Sequence, residues 1–119
     1  MSHDWPALTK ELSGQLAQLR GGIPEVMKGF SALAKAAGSA GALDAKTKEL
    51  VAMGIAIAAR CDGCIAFHSK TALELGTTRE ELMEVAGMAV YMGGGPSLMY
   101  AALALQAYDQ HAAAMQPAE

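Results

Sequence analysis

The 119-residue chain has two cysteines, one tryptophan, three tyrosines and two phenylalanines, and no apolar stretch long enough to span a bilayer. Cysteine this scarce excludes a disulfide-stapled scaffold, and a chain of this length buries a core without staples or structural metals. The longest apolar run, LVAMGIAIAA at 50–59, is about half of what a membrane span needs and stops at Arg60. Positive charge is also short: nine Lys and Arg against twelve Asp and Glu give a net charge of −3. With the basic residues scattered, nucleic acid is excluded as a partner. The opening MSHDWPALTK has neither the basic start nor the apolar run of a secretory signal, so the expected location is cytoplasmic.

Val and Ile are few, and no segment alternates with period two between turn signals, which argues against strands. The expected fold is all-α, one domain over 1–119 with about six helices. Leu8, Leu12, Leu16 and Leu19 predict a first helix over 4–20, ended by Gly21 and Gly22. Pro24 starts a second through about 36. Asp44 caps a third over 45–60, and Asp62 caps a fourth that runs through Leu75 to Gly76. Thr78 and Glu81 form a capping box for the fifth. Gly93, Gly94 and Gly95 break that helix for close packing, and Pro96 starts the sixth, to about 110. The tail AAAMQPAE is expected to fray. Hydrophobic residues make up 52% of the chain, above the usual apolar share, so a homo-oligomer that hides part of the surplus is expected.

Both cysteines and one of three histidines fall in ARCDGCIAFHSK, residues 59–70. In a reducing compartment CxxC spacing indicates catalysis, redox sensing or metal binding. If all three were helical, Cys61, Cys64 and His68 would share one face, with Cys64 and His68 one turn apart. With Asp62 as cap, Cys64 is the second helical residue, where backbone N–H groups favour a thiolate, although the Asp62 carboxylate opposes it. Cys64 is then the candidate nucleophile, and Cys61 condenses with its sulfenic acid to form a disulfide that an external dithiol must reduce. The set Cys-x2-Cys-x3-His also offers three zinc-type ligands but lacks a fourth, and Ile65 excludes c-type haem attachment. A third alternative is that both thiols are small core hydrophobes.

Upstream, in KELVAMGIAIAARCDGCIAFH, Glu49 completes the pattern Glu-x11-Cys-x2-Cys-x3-His. This pattern, with the sequence over about 42–110, resembles the alkyl hydroperoxidase D family of the carboxymuconolactone decarboxylase superfamily. The resemblance implies an all-helical oligomer, a trimer or a hexamer, with the site near a subunit contact. It implies peroxidase or disulfide-reductase activity without a cofactor or bound metal, on a hydroperoxide or disulfide substrate. The electron donor would be an external dithiol of lipoyl or thioredoxin type. In that likeness Cys64 attacks the peroxide, Cys61 resolves, and His68 with Glu49 relays the proton. Asp62 and Gly63 stand where the best-known peroxidase members carry a second His. The decarboxylase branch lacks the cysteine pair, so lactone decarboxylation ranks low.

Glu49 poses a problem of reach. Twelve helical residues span about 18 Å, of which a returning helix recovers about 10 Å by His68. A water bridge, a bend near Arg60 or Glu49 of another subunit would close the gap; the alternative role is a surface pair with Lys46. Met27, Met53, Met83, Met88, Met92 and Met99 read as core filler or as the lining of a hydroperoxide pocket. Tyr91 and Tyr100, flanking the glycine break, read as packing residues or as phenols offered to a substrate oxygen, and His3 and His111 as exposed.

Overall fold

The computed structural model describes residues 3–116. Six helices, and no strand among the described residues, make up the fold: α1 (Trp5–Gly22), α2 (Pro24–Gly38), α3 (Ala45–Ala58), α4 (Asp62–Glu74), α5 (Arg79–Gly93) and α6 (Gly95–Met115). Asp44 caps α3 through the Thr47 N–H at 2.7 Å, and the Thr78/Glu81 capping box opens α5, both as the sequence indicates. The first helix runs through Gly21 and Gly22 and ends at Ile23 instead, because a proline at 24 bars the preceding residue from helical geometry. Gly94, at φ 72, adopts a conformation costly to any side chain, while a Cβ on Gly93 would lie 1.9 Å from Ser97 Oγ. The glycine break is thus a close approach, as expected.

The sixth helix continues past the expected stop at 110, so the tail is helical to Met115; its last three residues lie outside the described residues. Ala112 to Ala114 favour helix. His111 also anchors it: contrary to expectation it is buried, its Nε2–H donating to the Ala66 carbonyl at 2.9 Å, and burial pushes its pKa down.

At the centre, α3 packs on α4, α5 and α6, with α1 lying across α4 and α6. Met53, Ile57, Ile65 and Leu82 fill the core, and Ala56, Ala66, Ala104 and Ala107 let the helix axes approach. Of the six methionines only Met53 is core; Met83, Met88, Met92 and Met99 are exposed. Tyr91 is exposed too. The second helix touches only α1 and α3 and leaves Val26, Phe30 and Leu33 each 64% exposed.

The sequence pattern overlooked Trp5. It is fully buried, its indole N–H donates to Gln106 at 2.8 Å, and its backbone N–H donates to Gln110 at 2.7 Å, which fastens the start of α1 onto α6. Trp5→Ala is expected to cost about 3–5 kcal/mol in urea unfolding through cavity formation. A loss below about 1 kcal/mol would show that α1 contributes little to the core.

Candidate active site

The site is built on the turn between α3 and α4. Ala59 closes α3, Arg60 takes the left-handed conformation at φ 57, and Cys61 is extended. The Arg60 N–H reaches the Ile57 carbonyl and the Cys61 N–H reaches that of Ala56, each at 3.1 Å, which satisfies the carbonyls at the end of α3 in a Schellman motif. Glycine usually occupies the left-handed position, and arginine there carries about 1–2 kcal/mol of strain. The expected helix to residue 60 therefore ends two residues early.

Cys61 serves the next helix as well. It, and not Asp62, is the N-cap of α4: its Sγ accepts the Cys64 N–H at 3.2 Å, while Asp62 is the first helical residue. Cys64 is accordingly the third helical residue rather than the second, and the N–H at the helix start is directed to the Cys61 sulfur. The two cysteines form a disulfide across Cα atoms 5.2 Å apart. Cys64 is exposed and Cys61 half-buried.

Because α3 stops at Ala58, Glu49 lies nine residues from its end and His68 six residues into α4. The axial offset between them is about 4.5 Å, which two long side chains bridge without water or a second subunit. His68 Nδ1 lies 2.5 Å from Glu49 Oε1. Lys46, the alternative partner for Glu49, pairs with Glu81 at 2.9 Å. The Glu49 carboxylate, only 11% exposed, raises the His68 pKa above its ordinary value, chiefly through this hydrogen bond and against the effect of burial. In neutral His68 the bond holds the proton on Nδ1 and leaves Nε2 as the basic nitrogen, with Cys64 one turn back on the same helix.

Beside Glu49 and His68 opens a cavity of about 530 Å³, walled by Phe30, Leu33, Ala52 and Leu75. None of the six methionines lines it. Among the described residues no three His, Cys, Asp or Glu side chains are grouped to hold a metal ion, and no helix is long and apolar enough to cross a membrane.

A family model described as "Carboxymuconolactone decarboxylase family" matches residues 24–107, from the start of α2 into α6. The chain belongs to the carboxymuconolactone decarboxylase family. Its structural similarity to a crystal structure of an apo family member from Legionella pneumophila has a TM-score of 0.88 at 59% identity, covering 90% of this chain and 96% of that one. An uncharacterised protein of Cupriavidus necator is 39% identical over 109 residues, 92% of this chain and 96% of that protein. One from Haemophilus influenzae is 31% identical over the same length and shares of each chain. The family match takes in α2, which the motif-based likeness over 42–110 left out, and α2 supplies Phe30 and Leu33 to the cavity.

Two residues beside the CxxC have partners the sequence did not indicate: His3, expected to be exposed, is half-buried, and Tyr100 packs on the core as expected. His3 Nε2 meets Asp62 Oδ2 at 2.8 Å, and the Tyr100 hydroxyl faces the same carboxylate, whose hydrogen bond and charge push the phenol pKa up. Partners 59 and 38 residues away leave no local pattern, so the one available signal was an unpaired acid inside the CxxC.

Titration of His68 by NMR is expected to give a pKa above 6.5 in the native protein, and one below that of the native protein in Glu49→Gln. Since the folded value is raised, the stabilisation is complete below the unfolded value and is lost as pH rises through the folded one. Equal His68 titration in both proteins would contradict the pairing.

Proposed function

We propose that this protein is a thiol-dependent oxidoreductase that reduces organic hydroperoxides through a Cys61/Cys64 dithiol–disulfide cycle, with His68 as proton carrier oriented by Glu49. The observation that carries this reading is the Glu49–His68 hydrogen bond one helical turn from a cysteine already in disulfide linkage with its neighbour.

In the reduced enzyme His68 takes the Cys64 proton, and the exposed thiolate attacks the terminal oxygen of the hydroperoxide. The O–O bond breaks, the alcohol leaves with the proton held by His68, and Cys64 becomes a sulfenic acid. The Cys61 thiolate then attacks the Cys64 sulfur, the S–O bond breaks, and the leaving hydroxide takes a proton to become water. Two thiols and one hydroperoxide thus yield one disulfide, one alcohol and one water. An external dithiol, of lipoyl or thioredoxin type, attacks the accessible Cys64 sulfur. Cys61 departs as the thiolate its Cys64 N–H contact favours, and the second donor thiol releases Cys64. The same exchange reduces a small disulfide substrate.

The apolar cavity beside His68 favours a hydroperoxide with a hydrocarbon body over hydrogen peroxide. A cytoplasmic setting would supply the dithiol donor. Val26, Phe30 and Leu33 on α2, and Val51 and Ile55 on α3, are exposed apolar side chains of the kind found at interfaces, which supports a homo-oligomer; the trimer or hexamer is what the family resemblance implies.

With excess dithiol, the native protein is expected to consume organic hydroperoxide continuously and Cys64→Ser not at all. Pre-reduced and assayed without added dithiol, Cys61→Ser, whose serine retains the N-cap, is expected to reduce about one equivalent and to be left with a sulfenic acid on Cys64 in place of a disulfide. Turnover retained in Cys64→Ser would overturn the assignment.

A further inference from the structure

Asp62 stands between the two cysteines at the start of α4, and a carboxylate there is favoured by the helix end but disfavours a thiolate on either neighbour. Its charge is only partly left to solvent, with the side chain 36% exposed. Two elements far away in sequence converge on it: the segment before α1, through His3 Nε2 at 2.8 Å, and α6, through the Tyr100 hydroxyl. Arg60 is the other charged group facing this corner, from the α3–α4 turn, while His68, paired with Glu49, lies one helical turn beyond Cys64 on α4.

His3 is held in place by more than its contact with Asp62. Its carbonyl accepts the Gln110 side-chain N–H at 3.0 Å, and its ring packs edge-on against Trp5 with centroids 4.7 Å apart. Trp5 in turn is fully buried and tied to Gln106 and Gln110. The imidazole is thereby delivered to the CxxC by the most deeply anchored residue of α1.

We infer that His3 is a positioning residue for the thiol chemistry: by binding the Asp62 carboxylate it turns that charge away from the sulfurs, lowers the pKa of the cysteine pair and keeps more of it as thiolate. An Nε2–H donor acts in this sense whether the ring is neutral or cationic, and the cation acts more strongly. The inference rests on the dithiol reading above.

The test uses fully reduced protein and follows thiolate absorbance and iodoacetamide alkylation across pH, for native protein, His3→Ala, Asp62→Asn and the double variant. His3→Ala is expected to raise the apparent thiol pKa and slow alkylation at neutral pH about threefold to tenfold. Asp62→Asn is expected to leave the thiol at or below the native pKa, and His3→Ala added to it is expected to change nothing further. A His3→Ala profile equal to native, or an equal shift in both backgrounds, overturns the inference and leaves the peroxidase reading standing. Native thiols with the pKa of free cysteine overturn both. His3→Gln keeps an N–H for Asp62 and is expected to recover part of the alkylation rate lost in His3→Ala. Should His3→Ala fail to fold, His3→Leu, which keeps side-chain bulk beside Trp5 but offers no N–H, against Asp62→Asn/His3→Leu provides the same comparison.

Discussion

The left-handed turn at Arg60 is the constraint from which the rest of the site follows. One residue in that conformation satisfies the end of α3 through the Ile57 and Ala56 carbonyls and leaves Cys61 extended, ready to cap α4 with its sulfur. Any longer connection would slide α4 along α3 and separate Glu49 from His68. With the turn as tight as it is, an acid near the start of one helix and a base in the second turn of the next meet directly. The strain at Arg60 is offset by the packing of Met53, Ile57 and Ile65, fully buried on either side of the turn.

In the proposed cycle the same turn divides labour between the two sulfurs. Cys61 holds the backbone N–H at the helix start and is half-buried, so it suits the leaving and resolving role; Cys64 is exposed and shares a helix face with His68. Electrostatic support thus comes from two sources, a backbone dipole for one thiol and an acid–imidazole pair for the other. Around them, α2 brings an apolar wall to His68, and the segment before α1 brings His3 to Asp62.

Helix number and most starts were legible in the sequence because they are local, whereas Glu49, nineteen residues from its partner His68, was singled out through the family pattern. Asp44, Thr78 and Pro24 announce helix starts within a few residues of where they act. The ends were less legible: Arg60 occupies a position where glycine is the usual signal, and Ile23 ends α1 because of the proline that follows it. Asp62 was mistaken for the cap because carboxylates commonly fill that role, whereas the extended residue before it, a cysteine, fills it here. Long-range partners were not legible at all. Trp5 on Gln106, His111 on Ala66 and His3 on Asp62 join residues from 45 to 101 positions apart, and only the packing of α1 and α6 on α4 brings them together.

The central claim is that Cys61 and Cys64 exchange electrons with a hydroperoxide as a pair. The most direct measurement is a free-thiol count with intact mass on reduced, reductant-free protein, before and after one equivalent of an organic hydroperoxide. The account predicts loss of both thiols and a mass lower by two hydrogens. Two thiols that persist unreacted, or a mass gain from oxygen retained on Cys64 with Cys61 still free, would contradict it.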